Sequence, residues 1–120
     1  MSVFPDRVVD FLEHIEIAIE RMSKYTGDGK DDFLASELKQ DAVIRNLEVV
    51  GEASINIEKH FPEFVVQYPE LPLRDAYRMR NFLSHGYFQV DLEVVWSTTQ
   101  TNLPRLKSMV GKILSEINDG

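Results

Sequence analysis

The sequence of 120 residues contains no cysteine, and it has no apolar run long enough to cross a membrane. The lack of cysteine excludes both a disulfide framework and a zinc site built from thiolates. Charge appears early, at Asp6 and Arg7, so the N-terminal residues lack the apolar core of a signal peptide. We therefore expect a cytoplasmic protein held together by packing alone, with residues 1–120 forming one domain.

The sequence also lacks the excess of positive charge that is typical of proteins that coat nucleic acids, since its net charge is −7. Any anionic ligand must therefore be bound by a local cluster. Such a cluster lies in residues 74–85, where Arg74, Arg78 and Arg80 face one acid, Asp75. This basic island makes Arg74 and Arg78 candidates for binding a polyanion such as RNA.

Helical periodicity runs through the sequence, and no alternating pattern is long enough to predict a strand. An N-terminal helix is followed by long helices over about 41–60 and 73–85, and Gly86 occupies a C-cap position. Three prolines in residues 62–72 predict an irregular connection, and Pro104 predicts a break in the last segment. The fold class is therefore all-α, an antiparallel bundle of four to five helices. The predicted apolar faces are Val8, Leu12, Ile15, Ile19 and Met22 in the first helix, and Val94, Val95, Leu103, Leu106, Val110, Ile113 and Ile117 in the last segment.

Residues 80–87, RNFLSHGY, set Arg80 five positions before His85. Five residues of α-helix turn through about 500°, so the two side chains point about 140° apart. They can converge if the helix ends near His85, or if a second copy of the chain lies alongside across a two-fold axis. The second arrangement would place two arginines and two histidines in one composite cleft.

These residue types suit RNA cleavage without a metal ion. The guanidinium of Arg80 stays charged and can stabilise the extra negative charge of a phosphorane. The imidazole of His85 can take a proton from a 2′-hydroxyl or give one to a leaving 5′-oxygen at neutral pH. Asn81, one turn before His85, can orient the imidazole or hold a phosphate.

More ordinary interpretations fit the same spacing. A histidine at a helix end is commonly a cap, helical arginines usually face solvent, and Tyr87 can be a packed aromatic residue. Glu48 and Glu52, one turn apart, could act as paired acids or metal ligands, but no histidine stands at matching spacing, and a solvated or inter-helix polar face is the simpler interpretation. Gly51, inside the helix over about 41–60, predicts a close helix crossing rather than a hinge. We predict no metal site and no cofactor.

Three stretches add a family resemblance: YRMRNFLSHGYFQVDLEVVW at 77–96, DAVIRNLEVVGEA at 41–53 and NLPRL at 102–106. Together they resemble the HepT-like group of the HEPN superfamily over nearly the whole chain. The signature of that group is Arg, a polar residue, a short spacer, His, any residue and Tyr. It falls on Arg80, Asn81, His85 and Tyr87 without a gap. The chain departs from the group at Leu73, where many members carry a tryptophan.

The resemblance implies a metal-independent endoribonuclease toxin that acts as a homodimer, with Arg80 and His85 in a cleft at the interface. It also implies a partner, an MNT-type nucleotidyltransferase antitoxin that transfers AMP from ATP to Tyr87. The alternative is a non-catalytic helical module that dimerises and presents substrates to a nucleotidyltransferase. That alternative predicts tolerance of substitutions at Arg80 and His85.

Overall fold

The computed structural model describes residues 6–85 and 91–119 of the chain, and the side chains of residues 7–81 and 91–118. Among these residues there is no strand, which confirms the all-α class. Four units make up the bundle, α1, α3, α5 and the consecutive pair α6 and α7, and α2 and α4 are short additions of six residues each. The helices are α1 (Asp6–Tyr25), α2 (Lys30–Ala35), α3 (Glu37–His60), α4 (Pro62–Gln67), α5 (Leu73–His85), α6 (Leu92–Gln100) and α7 (Asn102–Asp119).

Helix α3 lies at the centre of the bundle, in contact with both α1 and α5, and α7 packs against α1 and α6. The predicted apolar face of α1 is confirmed, because its five side chains are at most 1% exposed. Burying each such side chain contributes about 1.5–3 kcal/mol relative to leaving it in water. The core is therefore built where the 3.6-residue periodicity of α1 predicts it.

The two polar side chains buried in α3 bond within their own helix. The side-chain amide of Asn46 donates to the carbonyl oxygen of Ala42 at 2.8 Å, and the hydroxyl of Ser54 donates to that of Val50 at 2.7 Å. Helix α3 starts four residues before the predicted boundary, at Glu37, because the Ser36 hydroxyl caps it by accepting from the backbone N–H of Lys39.

Two predictions of local structure are wrong. Residues 62–72 are not irregular throughout, since Pro62 starts the short helix α4, where its fixed φ and missing N–H are tolerated. Phe64 on this helix is fully buried, which anchors it to the core. Val94 does not belong to the apolar face of the last segment, because it is 53% exposed while its neighbour Val95 is buried.

The predicted break in the last segment is present, at Thr101 between α6 and α7. Pro104 then lies in the first turn of α7, where a proline removes no helical hydrogen bond. Trp96 on α6 packs on Phe33 of α2, with ring centroids 5.8 Å apart. The predicted cap at Gly86 lies outside the described residues. Within the described part of the chain, no helix is both long and apolar enough to span a bilayer.

Candidate active site around Arg80

Helices α3 and α5 cross closely at Gly51. A Cβ atom built on Gly51 would lie 2.2 Å from the Cβ and 2.8 Å from the Cγ of Arg80, and 3.2 Å from the carbonyl oxygen of Ala76. Any side chain at position 51 would therefore push the two helices apart. The prediction that Gly51 marks a close helix crossing is confirmed, and the residue seated against it is Arg80.

The guanidinium of Arg80 is held by neighbours on two helices. Its Nη1 donates to the Oδ1 of Asn81 at 3.3 Å, and its Nη2 lies 3.3 Å from the Oε2 of Glu52 on α3. The Nε is buried, and it has no hydrogen-bond partner among the described residues. One third of the side chain is exposed. Arg80 is thus anchored at its stem while its terminal nitrogens remain within reach of a ligand.

Arg80 forms part of the wall of an open cleft of about 410 Å³ between α1 and α3. Glu48 and Glu52 line the same cleft, and each pairs with an arginine. The Oε2 of Glu48 lies 3.6 Å from the Nη1 of Arg45, and Glu52 pairs with Arg80. The inter-helix polar interpretation fits Glu52, whose partner lies on α5, whereas Glu48 pairs within α3. No group of three or more histidine, aspartate or glutamate side chains suited to holding a metal ion occurs in the described ranges.

The other two arginines of α5 do not converge on Arg80 within one protomer. Arg78 lies about 200° around the helix from Arg80 and pairs with Asp75 at 3.9 Å on the surface. Arg74 donates a hydrogen bond to a carboxylate oxygen of Glu58. This hydrogen bond, together with the negative charge of Glu58, raises the pKa of Arg74 above its ordinary value. The basic island is therefore a set of separate ion pairs, with Arg74 and Arg78 about 40° apart on one face of the helix and Arg80 on another.

His85 is the last residue of α5, and the helical backbone runs unbroken from Arg80 to it. This continuity preserves the separation of about 140° between the two Cα–Cβ directions, as predicted from the spacing. The side chain of His85 and all of Tyr87 lie outside the described residues. Convergence of Arg80 and His85 across a two-fold axis stays a prediction.

Sequence reasoning missed the contact between Glu52 and Arg80. It considered Glu52 only with Glu48, its neighbour one turn away, because a partner on another helix leaves no periodic signal. The one available signal was Gly51, which predicted a close approach at the adjacent position without indicating which residue approaches.

Comparisons with known proteins identify a family for this chain. The family model described as ribonuclease HepT-like matches residues 15–113, which include α3 and α5. The "Probable ribonuclease HepT" of Thermococcus cleftensis is 43% identical over 105 residues, covering 87% of this chain and 93% of that protein. A Methanocaldococcus jannaschii protein named "Gamma-glutamylcyclotransferase and putative RNase" is 38% identical over 109 residues, which are 90% of this chain and 48% of that longer protein. No solved structure matches the chain. The chain therefore belongs to the HepT-like ribonuclease family of the HEPN superfamily.

Proposed function

We propose that the protein is a metal-independent endoribonuclease whose reacting groups are Arg80 and His85. The observation that carries the proposal is the side chain of Arg80, which is seated at its stem on the α3–α5 crossing and is one third exposed, on the helix that ends at His85. A fixed cation that solvent can reach is suited to stabilising the charge that develops on a phosphate. Membership of a ribonuclease family supports the choice of RNA as substrate.

In the proposed reaction, the imidazole of one His85 takes the proton from a 2′-hydroxyl. The 2′-oxygen then forms a bond to phosphorus, and the bond from phosphorus to the 5′-oxygen breaks. A second, protonated His85 gives its proton to that 5′-oxygen, and Arg80 stabilises the additional negative charge on the phosphorane. The products are one RNA end with a 2′,3′-cyclic phosphate and one with a 5′-hydroxyl.

The proposed reaction uses two histidines, one as base and one as acid, which is why we propose a homodimer as the active form. In one protomer the Cα–Cβ directions of Arg80 and His85 are about 140° apart on the helix, and a second copy across a two-fold axis would supply the converging pair. Asn81 then orients the guanidinium of Arg80, to which it is already bonded at 3.3 Å. Arg74 and Arg78 are proposed to contact RNA phosphates outside the cut site, as exposed cations that exchange a carboxylate for a phosphate.

We further propose that the chain is the toxin of a toxin–antitoxin pair, restrained by an MNT-type nucleotidyltransferase that adds AMP to Tyr87. Tyr87 stands two residues after His85 in the sequence. An adenylate at this position would bring a phosphodiester charge close to the reacting groups, where it would compete with the RNA phosphate for Arg80.

A non-catalytic module remains the second candidate, and one observation favours it. Each arginine of α5 already pairs with a carboxylate, so α5 presents less free positive charge than its composition implies. Such a surface suits contact with another protein. In this case the RNFLSHGY segment would be recognised by a nucleotidyltransferase and would carry out no reaction itself.

Expression of the chain alone in a bacterial host distinguishes the two candidates. The ribonuclease proposal predicts growth arrest and loss of intact RNA with the wild type, and neither effect with His85→Ala produced at the same level. Equal growth of the two cultures, with intact RNA in both, would instead favour the non-catalytic module.

A further inference from the structure

Helix α3 lies outside the RNFLSHGY segment, yet it contacts Arg80 at both ends of the side chain. At the stem, the missing side chain of Gly51 admits the Cβ and Cγ of Arg80 against the α3 backbone. At the tip, the carboxylate of Glu52 lies 3.3 Å from Nη2. These two contacts come from consecutive residues of one helix turn.

Arginine is long and rich in rotamers, so its guanidinium samples many positions unless neighbours restrict it. A charge that stabilises a transition state is effective only if it is already oriented before the reaction. The contact at Gly51 restricts the first side-chain torsions, and the Nε beyond the stem is buried. Glu52 restricts the remaining torsions by attracting one terminal nitrogen.

We propose that Gly51 and Glu52 are positioning residues for Arg80, which together fix the direction of its guanidinium. This inference rests on the proposed function, because it assigns to α3 the orientation of the group that stabilises the phosphorane. Neither residue contacts the RNA in this account, and both act through Arg80.

The donor count of the guanidinium shows how Glu52 can hold Arg80 without blocking it. A guanidinium carries five N–H groups, one on Nε and two on each terminal nitrogen. Asn81 and Glu52 engage one terminal nitrogen each, so each terminal nitrogen keeps a second N–H for a phosphate oxygen. Glu52 can therefore stay in place while a phosphate binds, as a positioning residue must.

Kinetics of single-stranded RNA cleavage by the full chain test the assignment of Glu52. Glu52→Gln removes the charge that holds Nη2, and we expect kcat to fall about tenfold with KM changed by less than about twofold. Glu52→Asp keeps a carboxylate on a shorter side chain, and its kcat should lie between those of the wild type and Glu52→Gln. The matched control is Glu48→Gln, which makes the same charge change one turn away, beside Arg45, and should leave kcat unchanged.

Gly51→Ala tests the seat of the stem, since the added methyl group would meet the Cβ of Arg80. The matched control is Gly111→Ala on α7, where the nearest atom to an added Cβ is the flexible Glu16 carboxylate at 3.3 Å. We expect a loss of kcat in Gly51→Ala only, with circular dichroism confirming that both variants remain helical. If Gly51→Ala fails to fold, the Glu52 series still decides the assignment.

A measurement that needs no activity separates failure of this inference from failure of the proposed function. The Nε–H of Arg80 is buried, so its hydrogen exchange in ¹⁵N NMR reports directly on the position of the side chain. We expect exchange to accelerate in Glu52→Gln and Gly51→Ala, and to match the wild type in Glu48→Gln.

If the wild type cleaves RNA and Glu52→Gln matches Glu48→Gln in kcat, the inference is wrong. If the wild type cleaves no RNA, the proposed function fails, and unchanged exchange in Glu52→Gln would overturn the positioning role as well. A lower KM with unchanged kcat in Glu52→Gln would show that Glu52 competes with RNA, which also contradicts it.

Discussion

The two interfaces that α3 makes with α1 and with α5 are built differently. Helix α1 contributes Val8, Leu12, Ile15, Ile19 and Met22, all at most 1% exposed. In α5, by contrast, residues 73–81 bury only Leu73 and Ala76, and the closest approach is made against a glycine. The first interface gains its stability from side-chain volume, and the second brings backbones close and holds an arginine between them.

The difference indicates how one helix can serve both the core and the site. Aliphatic side chains stabilise the fold on the α1 side, because burial of apolar surface is the main favourable term in folding. The α5 side contributes less apolar burial, but it restrains a charge that must point in one direction. Substitutions on the two sides should therefore separate loss of stability from loss of activity.

The largest expected effect is on the α1 side. Leu12→Ala should lower the free energy of unfolding by about 2–5 kcal/mol, since it removes a fully buried side chain and leaves a cavity. Ile17→Ala on the same helix is the control, because Ile17 is 44% exposed and should change stability by less than about 1 kcal/mol. Urea unfolding measures both, and equal effects would mean that the α1 face is not the one that stabilises the bundle.

On the α5 side, Arg80→Lys should reduce RNA cleavage about 100-fold, since lysine keeps the charge but loses the planar set of donors. The free energy of unfolding should change by less than about 1 kcal/mol, because lysine keeps the Cβ and Cγ seated on Gly51 and a positive charge beside the half-exposed Glu52. Arg21→Lys is the matched control, because Arg21 is an exposed arginine on α1 with no role in the proposed site. Retention of full cleavage by Arg80→Lys would argue against the guanidinium as the stabilising group.

Away from both interfaces, Tyr68 gives the bundle a dependence on high pH. Partial burial, followed by the charge of Glu116 and a hydrogen bond to it at 3.4 Å, raises the pKa of Tyr68 above its ordinary value of 10.0. The folded protein thus holds this proton more tightly than the unfolded chain does, and the resulting stability is present below about pH 10 and lost as the pH rises through the folded pKa. The free energy of unfolding, measured as a function of pH, should decline less steeply above about pH 10 in Tyr68→Phe than in the wild type. Identical pH profiles would contradict the assigned cause.

The smallest effect is expected at the exposed ion pair of Arg78 with Asp75. Arg78→Gln should change the free energy of unfolding by less than about 0.5 kcal/mol, because exposed pairs contribute little. If Arg78 contacts an RNA phosphate, the slope of log affinity against log salt should fall by about 1. An unchanged slope would remove Arg78 from the RNA contacts without affecting the account of Arg80.

The sequence predicts the parts of this protein that depend on a repeating pattern. The apolar face of α1 and the span of α5 follow from the 3.6-residue period, which is set by the backbone. Helix α4 was not predicted from the three prolines of residues 62–72, because the sequence does not distinguish a proline in the first turn of a helix from one in a loop. Val94 was misplaced because adjacent residues of a helix point about 100° apart, so the burial of Val95 does not extend to Val94.

The contacts of Arg80 in the candidate site also differ in how far the sequence predicts them. Arg80 and Asn81 are adjacent in sequence, so their contact could be anticipated from the motif. The contact between Arg80 and Glu52 joins residues 28 positions apart and depends on how two helices cross. Gly51 was the one residue of the sequence that indicated this crossing.

The central claim, that Arg80 and His85 cleave RNA without a metal ion, is tested most directly with purified protein and a defined single-stranded RNA in excess EDTA. The wild type is compared with Arg80→Ala and His85→Ala, and the chemistry of the new RNA ends is determined. We predict cleavage by the wild type alone, leaving 2′,3′-cyclic phosphate and 5′-hydroxyl ends. Cleavage that EDTA abolishes, or that persists in His85→Ala, would contradict the account.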